Sequence, residues 1–345
     1  MESRFRYPAE WEPHAAVWLA WPSHQAPWED TALADVQAEF AALCRAIADP
    51  DPASGQVRGE PLQILVPDET HEADAARALD GLGARFHHVP FGDIWLRDTA
   101  PLFLHHVTER VASVFRFNGW GDKFVYPEDD KVADRVAHLS RDQTLRHDWV
   151  LEGGSLESDG EGTLLTTREC LLNPNRNPHL SREEIEERLE LALGIRRILW
   201  LDRGLIGDHT DGHIDNLARF VAPGRVLCMA PGGEDDPNRE VLEETIEALG
   251  NMSDGAGRRL EVVTLPSPGR VLDRKGEIMA ASHVNFYLAN TTVVVPLYPG
   301  SDDKTVCRVL GECFPGRRVI GVPAWNILHG GGSLHCITQQ VPLRP

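Results

Sequence analysis

The sequence predicts a closed, pseudo-symmetric α/β fold built from about five copies of one strand, turn, strand, helix, strand unit. Helical patterns alternate with β-rich stretches along the 345 residues, the order expected of a layered α/β protein. Three consecutive stretches share the same internal order and start near 153, 213 and 283, a spacing of roughly 60 to 70 residues that falls in the range of repeat architectures. About five such units fill residues 1–345, which implies one domain rather than two, with a site at the ring axis that draws one or two residues from each unit.

The first unit begins with His14 to Trp21, a helix near 31–48 with Val36, Phe40, Leu43 and Ile47 on one face, and the strand Leu62 to Val66. A weaker helical pattern occupies about 70–82. The second unit reads Trp95 to Leu104, Val114 to Phe117 and a helix near 128–140. In the third, Gly154 to Thr167 forms a hairpin around Asp159-Gly160-Glu161-Gly162. Ser181 and Glu184 make a capping box, Ile185, Leu189, Ala192 and Leu193 keep the helical period, Gly194 stops the helix, and Arg197 to Trp200 follows as a strand. The fourth unit runs from His213 to Met229, broken at Pro223-Gly224, through a helix near 238–249 ended by Gly250, to Leu260 to Val263. The fifth spans His283 to Tyr298 with a turn at Ala289-Asn290, a helix near 303–313, and Arg318 to Ile320. The last strand, Ser333 to Gln340, then completes the first unit and closes the ring.

Composition narrows the function classes. With 34 Lys plus Arg against 53 Asp plus Glu the formal charge is −19, too acidic for a generic binder of nucleic-acid backbones. Apolar residues at 42% and charged residues at 25% are those of an ordinary globular protein with a large core. No run approaches the roughly 18 consecutive apolar residues of a membrane helix, and MESRFRYPAEW lacks a signal-peptide core, so no membrane partner and a cytoplasmic location are expected. The 30 Gly and 24 Pro favour short elements joined by tight turns. Six scattered cysteines, with no C-x-x-C pair, make neither a disulfide framework nor a zinc ribbon. Cys44, Cys228, Cys307 and Cys313 sit in helix or strand patterns as small buried hydrophobes.

Four stretches carry chemistry. In His209-Thr210-Asp211-Gly212-His213-Ile214-Asp215, ionisable residues recur at every second position, which at strand period turns them all to one face. Three readings of this row compete: a satisfied polar strand face, a metal site, or an active site in which His213 is acid and base and Asp215 holds a cation. Asp93 to Pro101 embeds the Arg97-Asp98 pair between apolar residues at a strand end. Leu151-Glu152-Gly153-Gly154 places a carboxylate beside two glycines, where backbone comes close to a ligand. His329-Gly330-Gly331-Gly332 strips one stretch of side chains four residues before Cys336, which is flanked by polar groups, and this context favours a nucleophile.

Together these stretches resemble the agmatine deiminase branch of the guanidino-group-modifying superfamily, a bacterial-type peptidyl-arginine deiminase family. The resemblance spans nearly the whole chain. It rests on Pro8 to Trp11, Trp95 to Thr99, Asn118 to Gly121, Leu151 to Ser155, Asn173 to Pro178, Thr210 to Asp215 and Gly330 to Gln340. It implies the five-bladed α/β-propeller known as the pentein fold and a cysteine hydrolase of a small cationic guanidino substrate, with no metal or organic cofactor and with homo-oligomers as the family habit. Cys336 is then the nucleophile, His213 the acid and base, and Asp98 and Asp215 the aspartates that grip the guanidinium. Glu152, Trp95, Asp211, Gly331 and Gly332 complete the implied substrate-binding set. Carboxylates suit that ligand because they match a planar guanidinium by bidentate hydrogen bonds.

The sequence departs from the family pattern at Ala100, at Ser333-Leu334, at Asp122 and at His209, where an acidic residue is frequent. Agmatine is the expected substrate, with arginine, free or in a peptide, as the alternative; an α-carboxylate would call for a cation such as Arg97 or Arg176 facing the pocket. From another class, the row from His209 to Asp215 could serve a metal-dependent hydrolase in which Cys336 is merely structural.

Overall fold

The computed structural model describes residues 5–28 and 31–345, so part of the MESRFRYPAEW stretch lies outside it. Five sheets of three or four strands carry the described chain. After β1 (Phe5–Arg6), β2 (His14–Ala20) runs parallel to β3 (Leu62–Val66), and β3 parallel to β4 (Arg85–His88). The helices Leu33–Ala48 and Glu69–Ala78 make the crossovers that parallel neighbours require. Next, β5 (Leu102–His106) and β6 (Glu109–Arg116) pair antiparallel, and β7 (Gln143–Val150) returns parallel to β6 after the helix Val132–Ser140.

The same ββαβ order is repeated three more times. β8 (Glu157–Ser158), β9 (Thr163–Thr167) and β10 (Arg197–Leu201) enclose Arg182–Leu193, while β11 (Ala218–Ala222), β12 (Arg225–Ala230) and β13 (Glu261–Pro266) enclose Arg239–Asn251. β14 (Tyr287–Leu288), β15 (Thr292–Leu297) and β16 (Arg318–Pro323) enclose Asp303–Cys313. β17 (Gln339–Pro342) pairs antiparallel with β2, Gln339 opposite Trp18, and supplies the strand the first unit lacks. β1 in turn pairs with β5, Phe5 opposite His106. Each terminus is therefore hydrogen bonded into a sheet it did not begin, and the chain forms the expected five-bladed α/β-propeller.

Local sequence explains the elements. Ser181 and Glu184 make both hydrogen bonds of the capping box, and Gly194 ends the helix Arg182–Leu193 at φ +75°. Any Cβ at Gly194 would stand 1.9 Å from the carbonyl oxygen of Phe5, so the same glycine also lets β1 pass. Val36, Phe40, Leu43 and Ile47 form the buried stripe of Leu33–Ala48. β15 is apolar from Val293 on because its two faces are covered, as strands of layered folds require. In the fourth unit the helix runs past Gly250 to Asn251, because its capping comes from the backbone of Met252 rather than from the glycine.

Several expected strands end short of the ring axis. Leu96–Thr99 is one helical turn, Ile214–Asn216 a 3-10 turn, and residues 333–338 form turns before β17 begins. The hairpins expected from 213 and 283 likewise start only at Ala218 and Tyr287. These segments read as strands because polar and apolar residues alternate in them. Their backbones instead fold inward at the axis, Asp211 at φ +63° and Gly212 at φ +82° breaking the extended run.

Candidate active site

The inward turns share one position: each lies immediately before the first strand of a blade. Asp98 precedes β5, Glu152 precedes β8, Asp215 precedes β11, Asn285 precedes β14 and Cys336 precedes β17. One polar or nucleophilic residue from each of the five units therefore reaches the axis, and all five are buried.

Cys336 forms the floor of a cavity of about 140 Å³. Its Sγ lies 3.2 Å from Asn285 Nδ2 and 3.6 Å from Asp215 Oδ2. Burial pushes the thiol well above its usual range, and the carboxylates of Asp215 and Asp98 push it further. Trp95, Gly330, Gly331 and Gly332 line the same cavity. The glycines are bare because indoles lie on them: a Cβ at Gly330 would meet Trp28 at 2.4 Å and Trp95 at 2.8 Å, and one at Gly332 would meet Trp95 at 2.7 Å. Gly331, at φ +102°, adds a conformation other residues rarely adopt.

Asp98 is held on both oxygens. The Gly154 N–H donates to Oδ1 at 2.8 Å and the Trp120 indole to Oδ2 at 2.9 Å. Burial raises its pKa, with the His213 charge opposing. Gly154 sits at the centre of the cluster: a Cβ there would stand 2.5 Å from His213 Nδ1, 3.0 Å from Asp98 Oδ1 and 3.1 Å from Asp215 Oδ2. No residue with a side chain fits between these three groups.

His213 is fully buried, with Nε2 3.2 Å from Glu152 Oε2 and Nδ1 without a partner, 3.8 Å from Asp98 Oδ2. Burial alone would strip its proton. Asp98 and Glu152 overcome this, and its pKa lies well above the ordinary imidazole value. Glu152 is likewise fully enclosed, yet the hydrogen bond from His213 and the charge of Arg176 outweigh the cost of burial and lower its pKa. Arg176 Nε donates to Glu152 Oε1 at 2.7 Å, and the Cys170 thiol lies 3.7 Å from Oε2.

Asp211 departs from expectation. Like Glu152, His213 and Asp215 it stands outside the cavity lining, and it takes Arg176 Nη1 at 2.6 Å and Lys123 Nζ at 2.8 Å, which joins it to the axis through the Arg176–Glu152 pair. The row from His209 to Asp215 is accordingly split: His209 reaches the cavity mouth, Asp211 an outer ion pair, and His213 and Asp215 the axis. A shared metal face is lost with the strand.

Glu152, Cys170 and His213 do bring three ligand atoms within 4.8 Å of one another. Arg176 already supplies the positive charge there, and the three groups are mutually hydrogen bonded, so the donor set fits a proton network better than a dication.

Arg97 and Arg176 are both buried and turned away from the cavity, Arg97 onto Gln340 and Glu10. Among the described residues the cavity lining contains no arginine or lysine. The mouth is aromatic, with Trp120, Phe124 and Tyr126 beside His209 and His329, and a wider groove of about 280 Å³ continues from those histidines.

Two residues at the axis were not singled out from sequence. Asn285 touches the Cys336 sulfur, and its Oδ1 accepts the His335 N–H at 2.9 Å. His335 joins Asp215 to Glu10. The repeat pattern held the signal for Asn285, since the fifth unit was the one with no axial residue assigned.

The Porphyromonas-type peptidyl-arginine deiminase model matches residues 6–342. The chain belongs to that family. An agmatine deiminase of Pseudomonas aeruginosa (strain UCBPP-PA14) is 39% identical over 362 residues, covering 98% of this chain and 95% of that protein. Among solved structures, the agmatine deiminase of Enterococcus faecalis superposes with a TM-score of 0.91 at 32% identity, over 99% of this chain and 96% of that one. DDAH from Pseudomonas aeruginosa covers 95% of this chain and 99% of its own with a TM-score of 0.54 at 11% identity, a likeness of fold alone. The family's pentein architecture is thus the one described above. No helix among the described residues is long and apolar enough to cross a membrane.

Proposed function

We propose that this family member is an agmatine deiminase, hydrolysing agmatine to N-carbamoylputrescine and ammonia, and that residues 1–345 work as one propeller domain with the reaction at its axis. The observation that carries this reading is the cavity itself. A thiol lies at its floor beside carboxylates that suit a guanidinium, and the described lining of the cavity itself has no arginine or lysine to meet an α-carboxylate, Arg274 and Lys275 lining only the outer groove.

The guanidinium enters between Asp98 and Asp215 with its carbon toward Cys336. Its charge offsets the two carboxylates that hold the thiol proton in place, so once substrate is bound the thiol gives its proton to solvent at the cavity and the thiolate forms. The sulfur bonds to the central carbon, His213 passes its proton to the departing amine, ammonia leaves, and a thiouronium remains on Cys336. The imidazole, now neutral, takes a proton from water; the hydroxide adds to the same carbon, the C–S bond breaks and the ureido product leaves. Glu152 keeps His213 charged at the start of the cycle. No step in this sequence calls for a metal.

Ammonia release from agmatine, free arginine and a blocked arginine peptide tests the reading. Preference for agmatine is expected, and its absence with turnover of either arginine compound would replace the substrate.

A further inference from the structure

His335 stands between two buried carboxylates. Its Nδ1 lies 2.7 Å from Asp215 Oδ2 and its Nε2 2.7 Å from Glu10 Oε2. Both acids stay ionised although burial opposes it: Arg219 and His335 hold Glu10 well below the usual carboxylate range, and the His335 hydrogen bond lowers Asp215. Each ring nitrogen thus faces a carboxylate oxygen.

The ring cannot turn to any other partner. Behind it, Glu10 is fixed by Arg219 Nη2 at 2.8 Å and by the Leu288 N–H at 2.9 Å. Its own backbone N–H is held by Asn285 Oδ1 at 2.9 Å, and its carbonyl by Thr338 Oγ1 at 2.8 Å. Asp215, by contrast, sits in the short turn Ile214–Asn216, where no helix or strand fixes its direction. Its Oδ2 takes His335 at 2.7 Å and stands 3.6 Å from Cys336 Sγ, while its Oδ1 is buried and has no hydrogen-bond partner. A bare carboxylate oxygen in the core is costly unless a ligand completes it.

We propose that His335 is a positioning residue for Asp215. By clamping Oδ2 from the residue next to the nucleophile, it leaves Oδ1 aimed at the substrate guanidinium and ties the place of the carboxylate to that of the Cys336 sulfur. This rests on the deiminase reading for the identity of the ligand, and deepens it.

Two amides separate the ring nitrogens. His335→Asn keeps a donor near the Nδ1 position, toward Asp215, and His335→Gln keeps one near Nε2, toward Glu10. Agmatine affinity is measured by calorimetry in the Cys336→Ser protein, where turnover is blocked. His335→Gln is expected to weaken binding about tenfold or more, the worth of a charge-assisted hydrogen bond. His335→Asn should keep affinity within a few-fold. Asp215→Asn should weaken binding on its own, with His335→Gln adding nothing further to it. Equal losses in the two His335 variants, or losses that sum with Asp215→Asn, would overturn the proposal and mark His335 as scaffolding. Should His335→Gln not fold, loss of binding in His335→Asn overturns it alone. Ammonia release by the unmutated protein is read separately: tight agmatine binding through Asp215 without any release would overturn the deiminase reading and leave the role of His335 standing.

Discussion

His213 Nε2 and Glu152 Oε2 lie 3.2 Å apart with both side chains shut off from solvent. Each moves the other's proton equilibrium in the direction the chemistry needs. The imidazole keeps its proton well above the ordinary range and the carboxyl stays ionised below its own. In the proposed mechanism, where His213 hands a proton to the departing amine, the ring is thus charged before substrate arrives.

The pair depends on Arg176, which satisfies the other oxygen of Glu152. Arg176→Met leaves that carboxylate buried beside His213 alone, and a loss of about 3–5 kcal/mol in unfolding free energy is expected, as for other half-broken buried ion pairs. Urea unfolding measures it; a cost near that of an exposed ion pair would show that Glu152 does not need the arginine.

Gly154 separates His213, Asp98 and Asp215, which lie 2.5 to 3.1 Å from where a Cβ would stand. Gly154→Ala should lower kcat/KM by about 100-fold through displaced geometry, for a folding cost of only about 1–3 kcal/mol. Steady-state kinetics beside a denaturation curve separates the two effects. Near-normal turnover would mean that His213, Asp98 and Asp215 act less closely packed than they stand.

Asn285→Ala removes the amide donor 3.2 Å from Cys336 Sγ and the acceptor of the His335 N–H. Alkylation of Cys336 by iodoacetamide and turnover should both slow by about tenfold. Unchanged alkylation would place Asn285 outside the thiol's environment.

Asp93 carries a pH signature. Burial pushes its carboxyl up to about 7, with Asp129 adding to the rise. In the unfolded chain the group titrates near 4, so between roughly pH 4 and 7 the native protein holds a proton that the unfolded chain has lost. Stability therefore falls as pH rises through that window. Asp93→Asn costs an acceptor of the Ile94 N–H or of the Trp95 indole, yet its unfolding free energy should fall less steeply across the same range. Parallel slopes in the two proteins would contradict the raised carboxyl.

The blades were legible in sequence because their signals are local. Ser181 with Glu184, the stripe Val36–Phe40–Leu43–Ile47 and the apolar run of β15 each fix an element within a few turns of chain. The axis was legible only in part. Alternating polarity in His209 to Asp215 and in Ser333 to Gln340 mimics a strand, but what bends these segments inward is the need to bring five distant turns together. Gly212, Gly331 and the left-handed Asp211 serve that long-range demand. The outer ion pair of Asp211 was hidden for the same reason: its partner Arg176 lies 35 residues away. Asn285 and His335 lacked a motif of their own, yet a lone asparagine between Val284 and Phe286, at the repeat position already filled in the other four units, marked the place.

Mass spectrometry of the protein quenched during turnover of agmatine tests the central claim most directly. The expected result is a mass increase equal to agmatine less ammonia on the peptide that carries Cys336, with both the adduct and ammonia release lost in Cys336→Ala. Ammonia release that persists in Cys336→Ala, or an adduct on any other residue, would contradict the assignment of Cys336 as the nucleophile.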